Sequence, residues 1–275
     1  MDIGSDKFYY HRYGDFYLRY FPGPERTHNI LEMGIFEGES IRWLLNEYPK
    51  AHIYGIDILG PLEIWPRDVR VGYLQADQSS PEQLSAVLSN IDRQFDLVIE
   101  DGSHEPPHQR NSLIAVAPWM APGGTYVVED IHTSYRQLVR EGLVGSSPDS
   151  PGVWTLRLQR IMTRIPRLSA LTNHQASSSV NLLNVLLGIE RARVLERGLS
   201  EAEVSALSST GFISYDQIQD LDAEIDRVHL YHRPVLPERC WRCKGLEFNL
   251  ASLTCLCGTP IYAFDDSMTA VVTFC

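Results

Sequence analysis

The sequence predicts an α/β fold: a doubly wound, mainly parallel sheet, preceded by an aromatic helical segment and followed by a small cysteine-rich appendage. Three observations carry that expectation. Between residues 29 and 129, short apolar runs alternate with amphipathic stretches long enough to be crossover helices. Two of these runs end in paired acids followed by polar, loop-forming residues, at Glu100-Asp101 and at Glu129-Asp130. Four of the five cysteines fall between Cys240 and Cys257, too close together to staple the whole chain.

Composition sets the outer bounds. The 275 residues, 44% apolar and 21% charged, suffice for one good core with a small addition. A net charge of −11 argues against nucleic acid or an anionic membrane as partner, because both reward a basic face. The start, MDIGSDKFYYHRYG, has no apolar stretch of the secretory kind. No apolar run approaches the ~18 residues of a membrane span. A reducing, cytoplasmic setting is therefore expected.

Residues 1–27 are rich in aromatics, and Tyr10, Tyr13, Tyr17 and Tyr20 fall at helical spacing. The stripe is expected to pack a helix on the core, to cover a flat ligand as a lid, or both. An apolar strand then reaches Glu32, and Gly34, Gly38 and Ser40 lead into an amphipathic helix ending near Tyr48. Glycines there allow the backbone to approach a ligand at a helix N-terminus. Their spacing is not the Gly-x-Gly-x-x-Gly of nicotinamide dinucleotide sites, which disfavours a dehydrogenase.

HIYGIDI is a strand ending at Asp57, at a distance that suits the hydroxyls of a ribose; the plainer alternative is an acid that merely ends a strand. VGYLQADQ, residues 71–78, is a third strand ending at Asp77-Gln78. A helix over Pro81 to about Ile91 has Ser80 as N-cap and Pro81 at its first position. The central strand spans 95–100, a helix lies near His108–Met120, and another strand spans 124–129 after Pro122-Gly123-Gly124.

Beyond Ser134 the pattern is helical but irregular up to Gly211, with a loop at 146–152 and another at Ser177 to Ser179. Arg157, Arg160, Arg164 and Arg167 form a basic stripe best read as a solvated face. Leu182 to Leu195 is a helix. Residues 226–239 read as a strand and a short return strand, which Pro234 and Pro237 confine to an edge.

In an open α/β sheet, ligands sit outside the carboxyl ends of the strands. Two adjacent strands joined by a crossover helix would bring Asp101, Glu129, Asp130 and His104 to one rim. Three carboxylates suit a hard divalent cation, and a neutral imidazole beside them can take a proton from a hydroxyl. The bland alternative for His104 is a loop histidine capping a helix. His108 and His132 are at best supporting or substrate-facing residues.

GSDKFYYHRY, LEMGIFEGES, the strand-end Asp57, EDGSH and PGGTYVVEDIHTSY together resemble the metal-dependent, Rossmann-like class I S-adenosylmethionine O-methyltransferases that act on sugars of macrolides and related natural products. The resemblance covers roughly residues 4–135. It implies Mg2+ held by Asp101, Glu129 and Asp130, with His104 as general base. It also implies S-adenosylmethionine held by Glu32 and Asp57, beside Gly34 and Ser40 of the glycine loop, with Asp77 and Gln78 near the adenine. Where Glu100 stands the family commonly has Asp. A division into a lid segment (1–27), a methyltransferase domain (28–239) and a cysteine-rich tail (240–275) follows.

The implied reaction is methylation of a sugar hydroxyl on a small glycosylated acceptor, in secondary metabolism. Rival readings keep the fold and change the acceptor, as in a catechol-type methyltransferase or a cephalosporin-hydroxylase-like enzyme, or make the chain a non-catalytic assembly protein. In the tail, Cys240-x-x-Cys243 and Cys255-x-Cys257 are separated by eleven residues, with strand-like LEFNL between. Structural zinc, incidental reduced cysteines and disulfides all remain open there. No motif in residues 136–225 identifies the acceptor or decides whether the chain forms a homo-oligomer.

Overall fold

Strands buried on both faces need continuous apolar runs, and Asn29–Met33 (β1), Phe95–Glu100 (β4) and the end of Met120–Val128 (β5) supply them. The structure, a computed structural model, describes residues 6–135, 180–233, 235–261 and 268–275. These three strands form the centre of a seven-stranded sheet. His52–Asp57 (β2) and Val71–Gln75 (β3) extend it on one side, and Met268–Phe274 (β9) and Ile225–His232 (β6) on the other. Phe248–Asn249 (β7) and Thr254–Cys255 (β8) make a separate small hairpin.

The strand order is β3-β2-β1-β4-β5-β9-β6. The pairings among β1 to β5 are all parallel, whereas β9 runs antiparallel to both of its neighbours. Order reverses between β1 and β4, so a crevice opens where the chain leaves these two strands. That is where the glycine loop and the Asp101 loop lie.

Asp6–Tyr9 (α1) and Tyr13–Tyr20 (α2) precede the sheet. Glu39–Glu47 (α3), Pro81–Ile91 (α4) and Pro106–Val116 (α5) are the crossover helices. Leu182–Val194 (α6), Glu201–Ser208 (α7) and Tyr215–Glu224 (α8) follow, each opened by a capping box, from Asn181, Ser200 and Ser214. Ser80 caps α4 by accepting from Gln83 N at 3.3 Å, as its sequence predicts. A large core under α4, α5 and α6 covers one face of the sheet, and a second cluster under α3 covers the other. Among the described residues, no helix is long and apolar enough to cross a membrane.

Four expectations need correction. The aromatic stripe is not one helix. Arg12 takes a left-handed conformation (φ 59°), so Tyr10 lies before the break while Tyr13, Tyr17 and Tyr20 lie after it. The helix expected near His108–Met120 begins earlier, at Pro106, because proline suits a first turn, and it gives way to a short 3-10 turn at Ala117–Trp119. The return strand expected before residue 239 is absent among the described residues. The antiparallel partner of β6 is β9, which pairs from Ile225↔Phe274 to His232↔Met268. Consequently the end of the expected tail is not an appendage but a buried strand of the main sheet. Pro234, the loops at 146–152 and 177–179, and the arginine stripe at 157–167 lie outside the described residues.

Candidate active site

Register decides what meets at the rim. In the parallel pair β4·β5, Glu100 lies opposite Val128, so the next residues, Asp101 and Glu129, emerge side by side, and Glu129 N donates to Glu100 O at 2.9 Å. Between their carboxylates sits the ammonium of Lys7, which is 5% exposed. It pairs with Asp101 Oδ2, and with Glu129 Oε2 at 2.7 Å. Burial alone would lower the Lys7 pKa, but the Asp101 and Glu129 carboxylates outweigh it and raise it well above the ordinary value. Burial and the neighbouring Asp101 charge push the Glu129 carboxyl up, against the pull of Lys7 and of the Tyr17 hydroxyl that donates to Glu129 Oε1.

Asp130 is oriented from the other side. It adopts a left-handed conformation (φ 51°), and its Oδ1 lies 3.4 Å from Tyr13 OH, 3.6 Å from His132 Nδ1 and 3.9 Å from His11 Nδ1. His104 is also left-handed (φ 57°), a costly conformation outside glycine that persists only where its surroundings fix it. The Thr133 hydroxyl donates to His104 O at 2.6 Å and supplies part of that fixing. His104 Nε2 lies 3.7 Å from Asp101 Oδ1, while Nδ1 is buried and finds no hydrogen bond among the described residues.

The crevice at the switch point holds two adjoining cavities. One, of about 340 Å3, is lined by Gly34, Asp57, Asp77, Gln78 and Asp101 among others. The other, of about 300 Å3, is bounded by Gly34, Ser40, Asp101 and Lys7. Gly34 has φ +87°, and a Cβ there would come within 2.2 Å of Asp101 O. The glycine loop thus passes the Asp101 loop at a distance only glycine allows. Asp57 does more than end a strand. Its Oδ2 accepts from Ile35 N at 2.8 Å and its Oδ1 from Leu59 N at 2.9 Å, which pins the glycine loop against the cavity.

Other expected cofactor residues behave differently. Glu32 lines neither cavity; it is fully buried. Burial pushes its pKa up to about 7, against the pull of Lys7 and Ser40. Gln78 lines the larger cavity, but its amide is engaged with the protein. Nε2 donates to Glu100 Oε1 at 2.8 Å and to Ser112 Oγ at 2.9 Å, while Oε1 accepts from Ser103 N at 2.9 Å. A Cβ on Gly102 would meet Gln78 Oε1 at 2.0 Å, so this amide packs directly under the Asp101 loop. Glu100 is a buried brace for Gln78. Asp77 accepts from Ser79 N at 2.8 Å, and that bond lowers its pKa.

This rim lies within a recognisable sequence unit: residues 31–131 match a family model described as a methyltransferase domain. The fold is that of the class I methyltransferases. The methyltransferase match extends to curated relatives. Mycinamicin VI 2''-O-methyltransferase of Micromonospora griseorubida is 35% identical over 113 residues, covering 38% of this chain and 28% of that protein. 8-Demethyl-8-alpha-L-rhamnosyl tetracenomycin-C 2'-O-methyltransferase of Streptomyces olivaceus is 35% identical over 140 residues, 48% of this chain and 36% of that protein. Among solved structures, the mycinamycin-pathway methyltransferase MycE in complex with Mg, SAH and mycinamycin VI superposes with a TM-score of 0.52. The match has 25% identity and covers 80% of this chain and 47% of that one. The chain therefore spans about half the length of that solved relative.

Lys7 and Tyr17 are the site residues that sequence reasoning missed. No local pattern marks the first, although lysine is rare in this chain. The chain carries only three lysines, Lys7, Lys50 and Lys244, among 24 basic residues. Two of them, Lys7 and Lys244, line the same cavity beside Asp101.

Proposed function

We propose that the chain is an Mg2+-dependent O-methyltransferase that moves the methyl group of S-adenosylmethionine to a sugar hydroxyl of a glycosylated natural product. One observation carries this reading: a cavity at the switch point opens beside Asp101 and Glu129, whose carboxylates already surround a positive charge. The Lys7 ammonium stands in for a cation there, and carboxylate oxygens suit a hard divalent ion. The methyltransferase match over residues 31–131 and the sugar-directed names of the relatives support the choice of acceptor.

In this reading Asp101 and Glu129 would hold Mg2+ in the place of the Lys7 ammonium, with Asp130 turning in as a third ligand. Gly34, Ser40, Asp57 and Asp77 shape the wall for S-adenosylmethionine, and Glu32 and Gln78 stiffen that wall from behind. When bound, the cation lowers the pKa of an adjacent hydroxyl, and the sulfonium provides an already activated methyl group. His104 takes the hydroxyl proton on Nε2, since its Nδ1 is buried. Asp101, 3.7 Å from that nitrogen, stabilises the imidazolium that results. Tyr13 and Tyr17 hold Asp130 and Glu129 in place and, with the rest of α2, exclude water from one side.

The test is methyl transfer from labelled cofactor to a panel of glycosides and catechols, with Mg2+ and with chelator. His104→Ala should lower turnover by about 10²–10⁴ while cofactor binding persists. Wild-type turnover in that variant would remove the proposed base. A second reading is favoured by the same ammonium: Lys7 itself supplies the positive charge and no metal is needed. Turnover that ignores chelator but vanishes in Lys7→Met would select it.

A further inference from the structure

We propose that Cys240, Cys243, Cys255 and Cys257 bind one Zn2+ as a tetrathiolate, and that this metal clamps the N-terminal segment over the acidic site. The four sulfurs all lie within 4.8 Å of one another. Cys240 Sγ is 3.8 Å from Cys257 Sγ, and Cys243 Sγ is 3.4 Å from Cys255 Sγ. A tetrahedron with Zn–S bonds of ~2.3 Å has an edge of about 3.8 Å, whereas a disulfide needs ~2.05 Å. The spacing is that of ligands around a shared ion, not of bonded pairs.

The backbone is shaped for the same purpose. In each pair, the residue after the second cysteine is left-handed: Lys244 (φ 60°) after Cys243, and Gly258 (φ 84°) after Cys257. These turns aim polar hydrogens at sulfur: Gly245 N donates to Cys243 Sγ at 3.4 Å, and the Thr259 hydroxyl lies 3.2 Å from Cys257 Sγ. The tighter second pair is closed by Gly258 N to Cys255 O at 2.8 Å and Cys255 N to Thr259 O at 2.8 Å. One intervening residue is therefore enough. Between the pairs, β7 and β8 form the hairpin that brings them together.

The unit cannot hold itself by apolar burial. Its buried cluster is Cys240, Cys255 and Ile261, with Leu236 and Phe248 packed against it. Units this small generally need a metal or a covalent link. Four thiols this close also cannot all ionise without a counter-cation.

The unit grips the N-terminal segment at several points. Glu238 N donates to Tyr9 O at 2.7 Å, and Arg12 pairs with Glu238 at 3.2 Å. The Lys244 ammonium bonds the Tyr9 hydroxyl and lies 4.5 Å from that ring's centroid. Arg233, 1% exposed, donates to Tyr10 O at 2.7 Å and to Ile261 O at 2.9 Å, tying the two pieces together. Tyr9 shares a helical turn with Lys7, so the grip ends at the Asp101–Glu129 pair. This inference concerns the zinc unit and its hold on that segment, and it stands whether or not the chain transfers methyl groups.

The experiment uses the full chain purified under reducing conditions. Elemental analysis should give about one zinc per chain, and Co2+ exchange should give the absorption of tetrahedral thiolate coordination. Trypsin cleavage at Arg12 and Arg19 should rise about ten-fold or more on stripping the zinc, and should be reversed by Zn2+ but not by Mg2+. Cys243→Ser/Cys257→Ser should behave like stripped protein. Lys244→Ala should keep its zinc and still be cleaved faster, which separates a lost grip from a misfolded unit. Protein that neither retains nor takes up zinc overturns the metal site. Cleavage unchanged by zinc removal and by Lys244→Ala overturns the clamp.

Discussion

Lys7→Met probes the arrangement most directly. The Lys7 side chain is 6% exposed and that of Glu129 is 2% exposed, so their 2.7 Å contact is poorly screened. At an effective dielectric of ~20 the gross attraction is about 6 kcal/mol, offset by several kcal/mol for desolvating each ion. Removing the ammonium also leaves Asp101 and Glu129 facing each other without a cation. Deleting one partner of a buried pair generally costs ~3–5 kcal/mol, and in a chain of this size each kcal/mol moves Tm by about 2–4 °C. Lys7→Met should therefore melt roughly 6–20 °C below wild type in metal-free buffer.

Mg2+ supplies the charge the substitution removes, so titrating it should close most of that gap, and the variant should bind the ion more tightly than wild type. Because the Lys7 pKa is raised on folding, its contribution is fully present below the unfolded lysine value of ~10.4 and fades only as pH rises beyond that. Titration of Lys7 itself should accordingly add no pH dependence between pH 6 and 9. Differential scanning fluorimetry across Mg2+ and pH reads all of this. A metal-free difference below about 2 °C, or a gap that Mg2+ leaves untouched, would refute the idea that ammonium and metal share one place.

Other outcomes follow from the same geometry. Glu32 has a folded pKa of about 7, above its unfolded value, so its contribution to stability is greatest at low pH and is lost as pH rises from about 4.5 through 7. Glu32→Gln should therefore stabilise the chain at pH 8 by up to about 3 kcal/mol and by almost nothing at pH 4, read from urea melts. Gly34→Ala combines a forbidden φ with a Cβ 2.2 Å from Asp101 O. It should abolish calorimetric binding of S-adenosylmethionine and lower Tm; retained binding would show that the loop is free to move. Tyr17→Phe removes a hydrogen bond to a buried carboxylate, worth roughly 1.5–3 kcal/mol, and should weaken Mg2+ retention without changing the far-ultraviolet circular dichroism.

Much of the frame was legible from residue order. Apolar runs, turn residues and helix caps placed β1 to β5 and the crossover helices, because each signal is local and the crossover pattern admits few topologies. That Asp101 and Glu129 belong to one rim also followed, since parallel neighbours present their ends side by side. What the sequence could not announce was who joins them. Lys7 reaches the pair from 94 and 122 positions away, through an aromatic segment whose helical spacing says only that it packs on something. The substitute partner of β6 was hidden for a similar reason. Strand β9 is a short apolar run, and nothing local distinguishes an inserted antiparallel strand from the end of a tail. The resemblance placed Gln78 near the adenine, yet packing turned its amide onto the buried Glu100. Local chemistry fixed the strands, their acidic tips and the paired cysteines; only long-range closure, in which the first helix, the last strand and the cysteine hairpin come to rest on one another, decided which charges face which.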